Sequence, residues 1–274
     1  MRSAVKVPPM PERPEGLPDR PILFIVGLHR SGASLLHRIV RAHPEISGFK
    51  NVGVPQDEGQ HLQTVFPTGK VFGGPGRFGF DPRAHMDEHH PLAGRSNAIK
   101  LSQEWARYWD LTKPMLVEKS PPTIMRMRFF QKLFPAGRFV LIFRHPIIVA
   151  LATQKSCYSP IYQLIDHCLH CYELAVADAA AIRDLHRLRY EIFVANPQEV
   201  ADSIWRFAGV GAFAVEQSVI GDINARYFEE WQQQRHEIVA EAERQRPDWL
   251  ALTVARCRAL GYALDWPLPI DPTT

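Results

Sequence analysis

The apolar residues of this chain fall either into short continuous runs or into stretches that repeat with a helical period. Residues 22–26, ILFIV, form a continuous run of strand length, which predicts a strand buried on both faces of a sheet. The apolar positions that follow have the helical period, and they are Leu35, Leu36, Ile39 and Val40. The chain is therefore expected to turn at residues 27–32, between a strand and a helix.

The same alternation of strands and helices continues along the chain. Further strands are predicted at residues 115–117, 138–143 and 187–190, and further helices at residues 98–109, 120–137, 146–151, 160–184 and 196–209. Ser120, which precedes two prolines, and Asn196, which opens a capping box, are expected to cap two of these helices. This order predicts an α/β fold of three layers, α/β/α, around a mostly parallel central sheet.

A long segment, residues 44–94, interrupts the alternation. It is dense in Gly, Pro and His and has little periodicity, which at this length is typical of a functional lid, a binding loop or a disordered stretch. Four phenylalanines argue against disorder because a solvated linker rarely keeps large apolar side chains, and they are Phe66, Phe72, Phe78 and Phe80. We expect the segment to form an acceptor-binding pocket or lid.

Composition adds few constraints. The chain has 274 residues, a length that suits one domain, which we predict at residues 21–274. Residues 1–20 are predicted to form a flexible lead-in. The formal charge is +3. Residues 229–274 are expected to supply outer C-terminal helices. Because there is no long basic run, no signal-peptide pattern and no apolar run of membrane-spanning length, we expect a cytoplasmic protein without nucleic-acid or membrane partners.

Two of the four cysteines, Cys168 and Cys171, lie in the sequence HCLHC. Closely spaced His and Cys can indicate a metal site. Here they fall within a predicted helix and have no second ligand pair at a suitable spacing. We therefore expect these cysteines to pack in the core, and we expect no metal.

The turn after the first strand, GLHRSGAS at residues 27–34, carries the first candidate chemistry. The backbone N–H groups of a glycine-bounded turn before a helix suit a phosphate. The glycine spacing is that of a P-loop, but Ala33 stands where nucleoside triphosphatases have a lysine that acts with Mg²⁺. A nucleotide site is the leading hypothesis, and an ordinary tight turn remains the alternative for this stretch alone.

Polar side chains also follow the C-terminal ends of the predicted strands, and they are Arg30, Lys119, Arg144 and Tyr190. Parallel strands place these ends at one edge of the sheet, where ligands of open α/β sheets bind. We therefore expect three cations to converge near the first loop.

Three blocks between residues 20 and 211 resemble one family in order and spacing. PILFIVGLHRSGASLL resembles the phosphosulfate-binding loop, of the form GxxRSGTTLL, of sulfotransferases that use 3′-phosphoadenosine 5′-phosphosulfate (PAPS). The stretch VEKSPPTIMRMRFFQKLFPAGRFVLIFRHP is similar to the segment that ends in this family's 3′-phosphate motif, and LRYEIFVANPQEVADSIWRFAGV is similar to a later block. The resemblance implies a P-loop-like sulfotransferase fold.

The resemblance also implies residue roles. Arg30 would bind the bridging oxygen and the 5′-phosphosulfate, and Lys119 would contact the sulfuryl oxygens or the leaving phosphate. Arg144 would hold the 3′-phosphate. The other implied cofactor contacts are Gly27, His29, Ser31, Gly32, Ala33, Ser34, Thr153, Tyr190 and Arg226.

The chain departs from the family pattern at three points. Ala33 and Ser34 replace a Thr-Thr pair, which removes one hydroxyl. Ala152 stands where many members have a serine that binds the 3′-phosphate, although Thr153 is adjacent. His145 replaces the aspartate of the usual RDP motif, and we interpret it as a helix-start residue.

A base is needed to take the proton of an acceptor hydroxyl. Glu58 lies where some relatives carry a catalytic glutamate, and His61 is the next candidate because histidine titrates near neutrality. Further candidates are His85, His89 and His90.

The expected activity is transfer of a sulfuryl group from PAPS to a hydroxyl of a small molecule, lipid or glycan, with 3′-phosphoadenosine 5′-phosphate (PAP) as product. The alternatives are an ATP-dependent small-molecule kinase and a catalytically weak nucleotide-binding protein. The sequence leaves the acceptor and the oligomeric state open.

Overall fold

The computed structural model describes residues 20–219 and 223–269. Its larger sheet consists of β1 (Ile22–Val26), β2 (Ile46–Gly48), β3 (Met115–Lys119), β4 (Arg138–Phe143) and β5 (Leu185–Arg189). The α-helices within the described residues are α1 (Ala33–Val40), α2 (Arg95–Ala106), α3 (Met127–Leu133), α4 (Pro146–Gln154), α5 (Ile161–Ala179), α6 (Tyr190–Ala195), α7 (Pro197–Ala208), α8 (Ile223–Gln245) and α9 (Trp249–Ala259). The short strands β6 (Tyr262–Ala263) and β7 (Trp266–Pro269) pair with each other. Apart from Arg20, the predicted lead-in lies outside the described residues.

The five strands of the larger sheet are all parallel and lie in the order β2-β3-β1-β4-β5. In the central strand, Phe24 lies opposite Glu118 of β3 and Phe139 of β4. Every residue of β1 is buried, as expected for a strand covered on both faces. The parallel arrangement brings the C-terminal ends of β1, β3, β4 and β5 to one edge of the sheet.

Helices cover both faces of this sheet and bury two apolar cores. One core contains Phe24, Trp105 of α2 and Phe130 of α3, and the other contains Leu36 of α1 and Trp205 of α7. The side chains of β1 alternate between these cores because successive strand residues point to opposite faces. The predicted three-layer α/β/α fold is confirmed.

The predicted strands are confirmed with small shifts at their ends. The strands predicted at residues 22–26 and 138–143 have the observed bounds, whereas the last predicted strand is displaced because Tyr190 already belongs to α6. The strand β2 is absent from the prediction. It has three residues and pairs only with β3, so it is too short to show an alternating pattern.

Ser120 and Asn196 occupy the predicted N-cap positions, but neither side chain forms a capping hydrogen bond. Ser120 precedes a 3₁₀ turn at Pro121–Met125 and does not cap it, because its hydroxyl instead donates to the carboxylate of Glu118. The side chain of Asn196 forms no cap hydrogen bond with α7. That helix begins with Pro197, whose fixed backbone angle favours a helix start without a side-chain cap.

Beyond β2, the segment at residues 44–94 consists of loops and five short 3₁₀ turns rather than longer elements. Phe66, Phe72 and Phe78 are buried in the core on one face of the sheet, whereas Phe80 is half exposed. The aromatic residues thus hold an irregular segment against the domain.

The cysteines of the HCLHC sequence pack in the core as expected. Cys168 and Cys171 are buried on α5, and burial raises the pKa of both thiols. His167 accepts a hydrogen bond from the backbone N–H of Gly79.

Across residues 20–219 and 223–269, the structure contains no helix with the length and apolar character needed to cross a bilayer.

Candidate active site

A cavity of about 420 Å³ opens beyond the C-terminal edge of the sheet. It lies where the loop after β1 meets the ends of β3 and β4 and the starts of α6 and α8. The residues that line it are Leu28, His29, Arg30, Gly32, Ala33, Ser34, Leu35, Arg38, Gln56, Glu58, Pro75, Lys119, Pro121, Arg144, Thr153, Ser156, Tyr190 and Ile223. The four residues predicted from the strand ends therefore meet at one site.

The loop after β1 makes a compact turn into α1. The backbone N–H of Ser31 donates to the carbonyl of Leu28, 3.1 Å away, and Gly32 adopts a φ of 96° that favours glycine. A Cβ on Gly32 would lie 2.3 Å from the ring of Tyr190, so the small residue also admits this ring. The Ser31 hydroxyl is buried and has no hydrogen-bond partner within the described residues.

Arg30 extends from this loop across the cavity. Its φ of 66° places a non-glycine residue in the left-handed region, which is uncommon and marks a constrained backbone. Its guanidinium donates to the hydroxyl of Ser156 at 2.6 Å. The side chain is otherwise exposed, so its charge faces the cavity.

Arg144 is held from several sides at the end of β4. Its Nη1 donates to the carbonyl of Arg30 at 2.8 Å, and its Nε and Nη2 both donate to Oδ1 of Asn224, at 2.9 and 2.6 Å. The guanidinium lies over the ring of Tyr190, 4.2 Å from its centroid. Burial lowers the pKa of Arg144, partly opposed by Tyr190 and Glu191.

A buried ion pair lies on the opposite wall. Nζ of Lys119 is 3.1 Å from Oε1 of Glu58 and also donates to the carbonyl of Gln56 at 3.3 Å. The other carboxylate oxygen accepts a hydrogen bond from Nε2 of Gln60 at 2.6 Å. His61 lies near the same oxygen, with Nε2 3.7 Å away, but it does not line the cavity.

A second carboxyl group, Glu118, lies behind this pair and is fully buried. Its Oε1 accepts hydrogen bonds from Ser120 and from the backbone N–H of Gly59. Burial raises the pKa of Glu118 to about 7, an effect that these hydrogen bonds and Lys119 oppose. This carboxyl group therefore exchanges its proton near neutrality.

His29 lines the cavity beside Arg30. Burial lowers its pKa to about 4, with Glu58 opposing and Lys119 reinforcing the shift. The ring is therefore neutral at pH 7, and its Nδ1 has no hydrogen-bond partner within the described residues. Its edge packs against Phe78.

Three other histidine candidates lie away from this cavity. His85 is paired with Asp178, with 2.9 Å between Nε2 and Oδ2. His90 packs against Phe129, and His89 is exposed beside Glu88. None of the three lines the cavity.

Two other predicted cofactor contacts, Thr153 and Arg226, differ in their position relative to the cavity. Thr153 lines the cavity, next to the buried Ala152. Arg226 is exposed on α8 and does not line it. Two positions earlier, Asn224 is buried and hydrogen-bonded to Arg144.

Sequence reasoning missed several residues of the site. Arg38 lines the cavity four residues after Ser34, on the same face of α1, so helical periodicity from the loop was the available signal. Its side chain is exposed and forms no hydrogen bond or ion pair within the described part of the chain. Ser156 and Asn224 carried no comparable signal because only the tertiary fold brings them to the site, whereas Gln60 lies two residues after the predicted Glu58.

Comparison with known proteins gives one family. A family model described as Sulfotransferase family matches residues 21–214. No curated protein sequence matches the chain.

Solved structures of sulfotransferases are also similar to this chain. A sulfotransferase from Alicyclobacillus acidocaldarius has 17% sequence identity over 88% of this chain and 95% of its own, with a TM-score of 0.49. The sulfotransferase domain of the Synechococcus PCC 7002 olefin synthase has 19% identity over 74% of this chain and 78% of its own, with a TM-score of 0.47. A sulfotransferase from Mycobacterium avium has 13% identity over 79% of this chain and 68% of its own, with a TM-score of 0.48.

Proposed function

The chain belongs to the sulfotransferase family, and from this premise we propose that it transfers a sulfuryl group from PAPS to a hydroxyl group of a small molecule, lipid or glycan. The observation that carries the proposal is the convergence of Arg30, Lys119, Arg144 and Glu58 on one cavity. Three cations suit a polyanionic donor, and the carboxylate suits the proton of an acceptor.

The residues present fit such a donor. The cavity volume of about 420 Å³ falls within the range of ligand pockets. The loop after β1 leads into the N-terminus of α1, which favours an anion. The buried Ser31 hydroxyl, which has no hydrogen-bond partner within the described residues, offers a further group to a phosphosulfate.

The donor supplies a sulfuryl group bonded through oxygen to a phosphate, and negative charge grows on that phosphate as the bond breaks. A cation fixed near this oxygen acts mostly in the transition state, where one well-placed donor contributes about 3 kcal/mol. Arg30, which reaches over the cavity from the first loop, and Lys119, at the end of β3, are the residues we assign to this role. Lys119 is the better proton donor because arginine keeps its proton at all relevant pH values.

We assign binding of the 3′-phosphate end of the nucleotide to Arg144, Tyr190 and Thr153. A guanidinium has five N–H groups, and three bonds to Asn224 and Arg30 use three of those of Arg144. Arg144 lines the cavity, so we assign its remaining donors to the ligand. Stacking over Tyr190 fixes the plane of the guanidinium for an oxygen ligand.

Glu58 is the residue we assign as general base. It lines the cavity, and its carboxylate is oriented by Lys119 and Gln60. A carboxylate within hydrogen-bond reach of an acceptor hydroxyl accepts its proton as the oxygen attacks sulfur. His61 is the alternative base, but it reaches the site only through Glu58.

The test is incubation of the purified protein with PAPS and a panel of alcohols, phenols, lipids and glycans, followed by mass spectrometry. We expect acceptors that gain the mass of one SO₃ and a matching amount of PAP. Phosphorylated products from ATP with Mg²⁺, without sulfated products from PAPS, would instead support the kinase alternative.

Substitution of the cations tests the residue assignments. We expect Arg30→Ala and Lys119→Met to lower kcat by about tenfold or more, because each removes charge at the leaving oxygen. Arg206→Ala is the matched control, since Arg206 is exposed on α7 outside the cavity. Circular dichroism checks that each variant folds, and near-wild-type rates in folded Arg30→Ala would contradict its role.

A further inference from the structure

We propose that Gln60 is a positioning residue that holds the carboxylate of Glu58 toward the cavity while Lys119 turns to the donor. The inference rests on the proposed function and extends it to a residue outside the cavity lining. Gln60 is buried, with 4% of its surface exposed, so it acts through Glu58 and does not touch substrate.

The two oxygens of Glu58 have different partners. Oε1 lies 3.1 Å from the ammonium of Lys119, and Oε2 accepts a hydrogen bond from the amide of Gln60 at 2.6 Å. One partner is charged and the other is neutral. Both oxygens of the carboxylate are therefore held in place. Of the two partners, only Lys119 also has a proposed role at the donor.

Gln60 is itself fixed in place. Its Oε1 accepts a hydrogen bond from the backbone N–H of Gly69 at 2.8 Å, and its own backbone N–H donates to the hydroxyl of Ser120 at 3.0 Å. If the side-chain amide rotated by half a turn, its oxygen would face the Glu58 carboxylate and its NH₂ would face the N–H of Gly69, and neither pair could form a hydrogen bond. The amide of Gln60 must therefore present its N–H to Glu58.

The neutral partner becomes important during transfer. Lys119 is the residue proposed to approach the leaving phosphate, and an ammonium that turns to a polyanion contributes less to Glu58. The hydrogen bond from Gln60 does not depend on the donor. Gln60 thus keeps the base aligned at the moment when its charged partner is shared, and a misplacement of about 1 Å in such a group costs about a hundredfold in rate.

Several titratable groups face Glu58. Lys119 and Glu118 face it from β3, and His61 lies 3.7 Å away on the same turn. His29 faces it from the first loop. A change at Gln60 alone leaves all four in place, so a shift in the pH profile that is specific to Gln60 variants reports on the amide contact.

The experiment compares Gln60→Met with Gln63→Met in steady-state assays with PAPS across pH. Methionine preserves side-chain length and removes the amide. Gln63 is the matched control because, within the described residues, its amide bonds only to backbone groups of the same loop, at Gln60, Val65 and Phe66. Gln63→Met therefore tests loop integrity without touching Glu58.

For Gln60→Met we expect kcat to fall about tenfold or more, with PAP affinity within about twofold of wild type because the donor site is unchanged. An amide donor favours the ionised carboxylate, so its loss moves the acidic limb of the pH profile of kcat/KM to higher pH. Gln60→Glu, which keeps the shape but adds a like charge, moves this limb further and tests the proposal if Gln60→Met does not fold.

The outcomes separate the two proposals. Absence of sulfuryl transfer by the wild-type protein overturns the proposed function and the role of Gln60 with it. Transfer by the wild type together with an unchanged kcat and pH profile in both Gln60 variants overturns only the role of Gln60. Equal losses in Gln60→Met and Gln63→Met with no difference in pH profile also overturn it, because they indicate loop folding rather than alignment of Glu58.

Discussion

Arg38 and Arg144 share one cavity but differ in how many of their donors are free. Arg144 is buried, donates three hydrogen bonds within the protein and stacks on Tyr190. Arg38 is exposed, and its guanidinium has no hydrogen-bond or ion-pair partner within the described residues. A ligand that enters the cavity can engage the whole guanidinium of Arg38, whereas Arg144 has part of its fork available.

This contrast predicts the effect of Arg38→Ala on nucleotide binding. We expect PAP affinity to fall about tenfold or more, because a charged group that bonds a phosphate contributes about 1.5–3 kcal/mol. Isothermal titration with PAP, compared with adenosine 5′-monophosphate, measures the loss for each nucleotide. Arg206→Ala again serves as the control, and a PAP affinity equal to wild type in Arg38→Ala would exclude a contact with the ligand.

At the scale of residues, the sequence located the site through strand ends but not through its supporting contacts. Arg30, Lys119, Arg144 and Tyr190 were predicted to converge because parallel strands end at one edge, and all four line the cavity. Ser156 and Asn224 bond to Arg30 and Arg144 across 126 and 80 residues of sequence. Such partners depend on how loops pack, which no local pattern encodes.

At the scale of elements, the turn between β1 and α1 is the most constrained piece of the site. Gly32 combines a left-handed backbone with close approach of the Tyr190 ring. An added methyl group would meet both obstacles. The turn therefore ties the first loop to the start of α6, and packing against Tyr190 accounts for the glycine at position 32.

We expect Gly32→Ala to destabilise the protein and to weaken PAP binding. The left-handed backbone alone costs about 1–3 kcal/mol for a non-glycine residue, and the clash with Tyr190 adds to it. Gly53→Ala is the matched control, because Gly53 has a φ of 79° and no atom within 4 Å of an added Cβ. Urea unfolding should show a larger loss for Gly32→Ala, and equal losses would contradict the packing contribution.

Strands and helices were predictable where burial produces a regular apolar pattern. Features that depend on individual polar contacts or on pairing were not predictable. The strand at residues 22–26 and the helix after it follow from apolar period alone and are confirmed. Ser120 forms no capping hydrogen bond because its hydroxyl donates to Glu118, two residues earlier. The three-residue strand β2 is specified by pairing with β3, which its own sequence does not reveal.

At the scale of the whole molecule, buried titratable groups couple folding to pH in opposite directions. Burial lowers the pKa of His145 to about 4 and that of His167 to about 3, and it also lowers the pKa values of His29 and His37. Burial raises the pKa of Glu118 to about 7. The histidines disfavour folding in acid, and the carboxyl group disfavours it above neutrality.

The direction of each effect follows from proton binding. The unfolded chain protonates its histidines near pH 6.5, while burial keeps the rings of His29 and His145 neutral to about pH 4 in the folded protein and also lowers the pKa values of His37 and His167. Their stabilisation is thus present above pH 6.5 and lost as pH falls toward 4. For Glu118 the stabilisation is present below its ordinary pKa and lost as pH rises through about 7. Burial also raises the pKa of Glu191. Between pH 5 and 6.5 the four histidines outweigh these two carboxyl groups, so the protein should be more stable at pH 6.5.

Urea unfolding at pH 5 and pH 6.5 tests this balance with two variants of opposite sign. His145→Gln removes one buried ring and should reduce the difference in unfolding free energy between the two pH values. The reduction is at most about 1.4 kcal/mol for each pH unit of the interval. Glu118→Gln removes one opposing group and should enlarge the difference. If both variants change it in the same direction, or neither changes it, the buried groups do not control the pH response, and charge repulsion over the whole surface would have to account for it.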